Sequence, residues 1–350
     1  MWKNDLESVE MKDSRNARMN TTVNLDALLD KLIDAENLDT KILELVFEIP
    51  FDKSVFLTRI NRTNDYKVQL NKLLSLPKIE QRTPDWYAAR QTLITASDFA
   101  QALGEGKFGT QKQLIAKKCG FEVDKFDNSA AALRWGTMFE DAACAIYESR
   151  NKVEVFDFGL LRHPEIDYFG ASPDGVTHNG IMVEIKCPWK RKIDGTVPLQ
   201  YYYQIQGQLD VCGLGECDYW ECEFIDSVSA QEIEESVGTF EKGVILEETE
   251  NRFRYSPVMP ANTSASQMEM WYEANKTGRE IKVHYYALTK CSTIRVYKDE
   301  EFLKDKLVQL GQVWDRIKAY RADEELYNKE IKAAPKENPY KLKGFSFVGV

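Results

Sequence analysis

Apolar positions along this chain fall into helical spacing toward both ends and into alternation in the middle. From Asn24 to about Leu76 the pattern is helical, with Leu25, Leu28, Leu29 and Leu32 at three- and four-residue spacing and Pro50 and Pro77 as punctuation. Trp86 to Arg90 read as one or two helical turns, and Thr95 with Asp98 three residues later has the form of a capping box opening the next helix. Residues 131–150, AALRWGTMFEDAACAIYESR, make an amphipathic helix whose apolar stripe is Trp135, Met138, Phe139, Ala142, Ala143 and Ile146. Strands are predicted over 154–162 and around Tyr168 to Ala171. Pro198 opens a helix that carries Tyr201, Gln204 and Gln208 on one stripe, and ECDYWECEFI follows as a strand. Residues 243–262 read as loop, Ser264 to Ala274 as helix, and Glu280–Ala287 with Ser292–Tyr297 as a pair of strands. A long helix from Asp299 to Glu330 presents Phe302, Leu303, Leu307, Leu310 and Val313 for packing.

The middle of the chain, SPDGVTHNGIMVEIK, reads as a hairpin. His178-Asn179-Gly180 supplies the turn, and the return run alternates: Ile181, Val183, Ile185 and Cys187 share one face, Met182, Glu184 and Lys186 the other. Register decides what Asp174 does. A two-residue turn at Asn179-Gly180 pairs Asp174 with Ile185 and sends its carboxylate to the wrong face. A three-residue loop with left-handed Gly180 pairs Thr177 with Ile181 and Asp174 with Glu184. Two carboxylates then meet, and such a pair repels unless something positive lies between them. Hard divalent cations take oxygen ligands of this kind. A plain charged side facing solvent is the other reading of the same pattern.

Composition narrows the classes. Hydrophobic residues are 43% and charged residues 29% of 350, as in soluble globular proteins. The sequence contains no run of eighteen apolar residues and no signal-peptide core at MWKNDLESVEMKD, so an intracellular protein without a membrane span is expected. The formal charge of −10 argues against nonspecific coating of nucleic acid, which is largely electrostatic. A local basic track suffices for an enzyme, and the densest is Lys186, Lys190, Arg191 and Lys192; a solvated charged loop is its alternative. The seven cysteines lack framework spacing, and Cys217 and Cys222 fall on opposite faces of one strand, which disfavours a metal cluster. With only His163, His178 and His284, a histidine-based zinc site lacks material.

The Asp, about ten residues, Glu-x-Lys pattern resembles the PD-(D/E)xK nuclease signature, and the strings SPDG and VEIKCP narrow the resemblance to the lambda-exonuclease-like, YqaJ-type viral recombinases. It covers about 80–325 and is most specific over 130–210. The resemblance implies a restriction-endonuclease-like α/β fold, a mixed twisted sheet flanked by helices, with an N-terminal helical addition over 1–79 whose first 20 residues are expected to be disordered, a nuclease domain over 80–330 and a mobile tail over 331–350. It implies a metal-dependent deoxyribonuclease, a 5′-to-3′ exonuclease acting on duplex ends for recombination, repair or viral genome processing, with one or two Mg2+ (or Mn2+) held by Asp174, Glu184 and the Ile185 carbonyl. Lys186 would position and help deprotonate water, its pKa lowered by adjacent dications and burial. Glu140, in a WGxxxE string at the edge of its helix stripe, would stand beside the metal, often through water, although a buried hydrogen bond would also explain it. Tyr201 and Gln204, a Y-x-x-Q pair, would orient the phosphate, the water or Lys186. Arg90 and Ser97 match a pocket for a terminal 5′-phosphate, with Ser172, Lys190, Arg191 and Lys192 also on the DNA side. Related exonucleases form rings and work with single-strand annealing proteins, so a homo-oligomer and such a partner are further expectations. A nicking or structure-selective endonuclease of the same superfamily, and a non-catalytic DNA-binding module, are the competing readings.

Overall fold

The computed structural model describes residues 53–121, 131–249, 252–277 and 281–332. The expected disorder of the first 20 residues, the helical reading of 24–52 and the tail beyond 332 lie outside the described residues.

In chain order the elements are α1 (Lys53–Leu74), α2 (Pro84–Gln91), β1 (Ile94–Thr95), a 3-10 turn (Ala96–Asp98), α3 (Phe99–Ala102), α4 (Gln111–Cys119) and α5 (Ala131–Asn151). There follow β2 (Val155–Phe156), β3 (Leu161–Arg162), β4 (Phe169–Ala171), β5 (Gly175–Thr177), β6 (Met182–Lys186), α6 (Leu199–Cys212) and β7 (Glu216–Ser227). The chain continues through α7 (Ala230–Glu235), β8 (Lys242–Thr249), β9 (Arg252–Tyr255), α8 (Ala265–Asn275), β10 (Lys282–Tyr297), α9 (Glu300–Ala322), α10 (Glu324–Tyr327) and a π turn (Asn328–Lys332). The result is α/β: a seven-stranded mixed sheet in the order β2-β5-β6-β7-β10-β8-β9, a small sheet β1-β4-β3, and helices on the faces.

Strand β6 is the pivot, antiparallel to β5 and parallel to β7. Alternation sends its two faces into different cores. Val183, Ile185 and Cys187 join Met138, Phe139, Ala142 and Ile146 of α5, where Phe139 stacks on Phe224 at 4.6 Å. Met182 joins Ile205 and Leu209 of α6 on the opposite face, so the side of Glu184 faces a helix. Cys217 and Cys222 of β7 likewise fall into different cores.

Register in the hairpin is the one that three-residue turn chemistry predicts. Gly175 pairs with Val183 and Val176 with Met182, while the Thr177 amide donates to the Ile181 carbonyl at 2.8 Å. Gly180 is left-handed at φ +83°, and a Cβ there would lie 2.3 Å from the Tyr66 Cβ of α1. Gly180→Ala is therefore expected to cost at least about 1–2 kcal/mol in urea unfolding, the left-handed penalty alone; unchanged stability would contradict this register.

Four sequence expectations are corrected. The strand predicted over 154–162 is two strands in two sheets, β2 and β3. Gly159 lies between them, where a Cβ would sit 1.8 Å from the Ile79 carbonyl oxygen, and the close approach lets the Leu160 amide donate to that carbonyl. Residues 243–262 are not loop but contain most of β8 and all of β9. The continuous apolar run Val244-Ile245-Leu246 hides strand alternation because both faces are buried, Ile245 in one core and its neighbours in another. Two predicted strands over 280–297 are the single strand β10, which pairs β8 over its first part and β7 along most of its length, with a bulge between Leu288 and Lys290. The long C-terminal helix stops at Ala322, where extended Asp323 caps α10 through a bond from the Leu326 amide.

Candidate functional site

Glu184 is fully buried, with 0% of its surface exposed. An ionised carboxylate in such a place must be paired and hydrogen-bonded. Lys186, two residues along the same face of β6, donates to Oε1, as does Gln204 Nε2 at 2.7 Å; Gln208 Nε2 reaches Oε2 at 2.7 Å. The stripe of α6 thus reaches the carboxylate directly, with Gln204 and Lys186 donating to the same Glu184 oxygen. Gln208 is a site residue that its position four after Gln204 on one helix face could have indicated.

Asp174 stands just before β5, where the observed register projects it opposite Glu184. Its Oδ2 accepts from the Ile185 amide at 2.7 Å, which pins the carboxylate to the end of β6. Glu140 of α5 accepts from Arg82 at 2.7 Å. Arg82 has φ +65° without being glycine, a costly backbone for an arginine. Nothing in its sequence surroundings marks it.

These groups feel one another. Burial and the Asp174 charge push Glu184 up to about 7, against the pull of Lys186 and Gln208. Burial and Asp174 likewise push Glu140 up to about 7, against Arg82 and Lys186. Burial pushes the Lys186 ammonium down, but Glu184 and Asp174 overcome this and hold it well above the usual lysine range. Among protein groups alone, Lys186 is therefore a cation, and the lowered pKa expected from sequence requires its neighbours' charge to be taken up by something else. Among the described residues, no three of His, Cys, Asp and Glu stand together tightly enough to hold an ion as they are; Lys186 supplies the positive charge on Glu184.

A second group assembles on α2. Arg90 donates to Ser97 Oγ at 3.0 Å and lies 4.3 Å from the Trp86 ring centroid. The Trp86 indole donates to Ser172 Oγ at 3.0 Å. Trp86, four residues before Arg90, thus joins the predicted phosphate pocket to the loop that carries Asp174. Behind them the capping box is present, with the Thr95 amide 3.1 Å from Asp98 Oδ2. Lys118 of α4, 2% exposed at its side chain, binds Asp98 at 2.8 Å and the Arg90 carbonyl at 2.8 Å.

The basic track divides. Arg191 pairs with buried Glu221, which also accepts from Tyr219 at 2.8 Å, whereas Lys190 and Lys192 are exposed. Tyr201 lies with its ring centroid 5.2 Å from the Lys186 ammonium and 6.0 Å from the Arg191 guanidinium carbon. The structure therefore gathers Glu140, Asp174, Glu184, Ile185, Lys186, Tyr201 and Gln204 around the end of β6, and Arg90, Ser97 and Ser172 in the adjoining Trp86 cluster.

Residues 85–215 match the YqaJ-like viral recombinase domain. That YqaJ-like segment runs from α2 to the start of β7 and contains both groups. The chain is 24% identical over 322 residues to an uncharacterized protein of Acanthamoeba polyphaga mimivirus, covering 77% of this chain and 58% of that one. It is 29% identical over 161 residues to a protein of African swine fever virus (strain Badajoz 1971 Vero-adapted), covering 37% of this chain and 46% of that one. The chain thus spans about half the length of the curated viral relatives it matches. Among solved structures it is similar to an alkaline exonuclease from Laribacter hongkongensis at 22% identity and TM-score 0.45, with 72% of this chain and 100% of that chain covered. Among the described residues no helix is long and apolar enough to cross a membrane.

Proposed function

We propose that this chain is a metal-dependent deoxyribonuclease, an exonuclease resecting duplex DNA from a 5′ end, with residues 80–330 as its working unit. The observation that carries the reading is the convergence at the end of β6 of Asp174, which accepts from the Ile185 amide at 2.7 Å, and fully buried Glu184, held by Lys186, Gln204 and Gln208, with Glu140 near enough for the Asp174 charge to push it up. Oxygen donors of this kind suit a hard divalent cation such as Mg2+, with Mn2+ able to replace it, once Lys186 yields its place on Glu184. Asp174, Glu184 and the Ile185 carbonyl would hold it, with Glu140 reaching it through water. When bound, the cation would supply positive charge at the reacting phosphate and make water more acidic.

The remaining work falls to the chain's own residues. Gln204 and Gln208 fix the Glu184 carboxylate from α6 so that it does not rotate away. Lys186, beside Tyr201, would position a water or a phosphate oxygen at the end of β6. Arg90 presents a planar donor fork suited to a terminal phosphate, and its seat on Trp86 would align that phosphate with the Asp174 loop through Ser172.

End recognition gives the test. A 5′-phosphorylated linear duplex is expected to be digested about ten- to a hundredfold faster than a 5′-hydroxyl duplex, the worth of a charged hydrogen bond, and Arg90→Ala to lose most of that preference. End-labelled substrates at fixed salt make the comparison. Equal rates on both ends, with Arg90→Ala slowing each alike, would overturn the exonuclease reading, and cutting of closed circular DNA would put an endonuclease in its place.

A further inference from the structure

Trp189 lies three residues beyond Lys186, so its Cα is within about 11 Å of the end of β6. It is 44% exposed, in a loop otherwise held firmly to the sheet. Ile193 is buried at 2% exposure and its carbonyl accepts from Lys290 of β10 at 2.7 Å; Arg191 is tied to Glu221 of β7. The loop is thus tied down before the ring by buried Cys187 and after it by Arg191 and Ile193, and it leaves the ring itself in solvent. Lys190 places its ammonium 4.1 Å from the Trp189 ring centroid. Nearer the site, the Tyr201 ring has Lys186 at 5.2 Å and Arg191 at 6.0 Å from its centroid. The loop and the end of β6 thus carry two aromatic rings, each with a cation against it.

We propose that Trp189 is a stacking platform for an unpaired nucleobase of the strand being processed, with Lys190 and Lys192 on its phosphates. This rests on the nuclease reading and adds a binding subsite to it. Every base has a π face, so a fixed aromatic ring holds single-stranded DNA regardless of sequence, and neighbouring lysines neutralise the backbone. A solvated charged loop gains nothing from an anchored tryptophan, whereas a strand threading past Lys186 would meet one.

The test uses the full chain in chelator, so that nothing is cut, with a fluorescein-labelled thymidine oligonucleotide read by anisotropy at fixed salt. Trp189→Ala is expected to weaken binding by roughly 5- to 150-fold, the worth of one stacked base, and Trp189→Phe to retain most of it. An oligonucleotide carrying abasic positions should bind the unaltered chain as weakly as the intact one binds Trp189→Ala, with no further loss when both changes are combined. Equal affinity of Trp189→Ala and the unaltered chain for the intact oligonucleotide would overturn the proposal. Cleavage of linear duplex in Mg2+ by the same preparations separates the two readings: base-dependent binding without any cleavage would sink the nuclease and leave the platform, and cleavage without base-dependent binding would do the reverse.

Discussion

Alanine at Asp174, Glu184 or Lys186 is expected to lower the cleavage rate on linear duplex by roughly 10²–10⁴-fold, the range seen when a group placed for proton transfer or charge stabilisation is lost. The three act as a unit, since Lys186 donates to Glu184 and Asp174 pushes Glu184 up to about 7. Losses should therefore not add in double variants. Glu184→Ala also strips the partner from Lys186, so Glu184→Gln, which keeps the shape and one of the two acceptor oxygens, is the cleaner variant for separating chemistry from stability. Lys186→Met should fail as fully as alanine if a positive group is needed. Circular dichroism and unfolding midpoints near those of the unaltered chain would assign the loss to chemistry, and near-normal rates in any two variants would remove the nuclease assignment.

Asp98→Ala is expected to destabilise the fold by about 3–5 kcal/mol, because it leaves the Lys118 ammonium buried without its counter-charge. The pair is not symmetric. Burial pushes the Asp98 carboxyl up, but Lys118, Arg90 and a bond from Thr95 overcome it and hold it well below the usual carboxylate range. Burial pushes the Lys118 ammonium down against the pull of Asp98, so the lysine carries the desolvation. A depressed carboxylate contributes stability that is fully present above its unfolded pKa of about 3.9 and is lost as pH falls below it. Urea midpoints of the unaltered chain should thus drop below about pH 4 more steeply than those of Asp98→Ala. Replacing both partners, Asp98→Asn with Lys118→Met, should recover much of the loss at neutral pH. If Asp98→Ala unfolds at the same urea concentration as the unaltered chain, Lys118 does not depend on it.

Much of this geometry is legible in the sequence because it is local. The turn chemistry of His178-Asn179-Gly180 sets a register over a handful of residues, and alternation then sorts Glu184 and Lys186 from Val183 and Ile185. The α6 stripe is equally local, with Gln204 and Gln208 one turn apart. Partners brought from afar are not legible. Arg82, in a left-handed backbone that arginine rarely takes, meets Glu140 across 58 positions, and Lys118 reaches the Arg90 carbonyl across 28. Lys118 falls at helical spacing behind Leu114 and Ile115, but that spacing says nothing of the carboxylate and carbonyl it meets. Burial on both faces is the other source of error: it turned the strand at Val244-Ile245-Leu246 into an uninterrupted apolar run with no period to read.

The most direct test of the central claim is digestion of an end-labelled, 5′-phosphorylated linear duplex by the purified full chain, with Mg2+ or with chelator, beside Lys186→Met. Progressive loss of the labelled strand is expected with Mg2+, none with chelator, and none from Lys186→Met in either condition. Digestion that persists in chelator, or that Lys186→Met carries out at the normal rate, would contradict it.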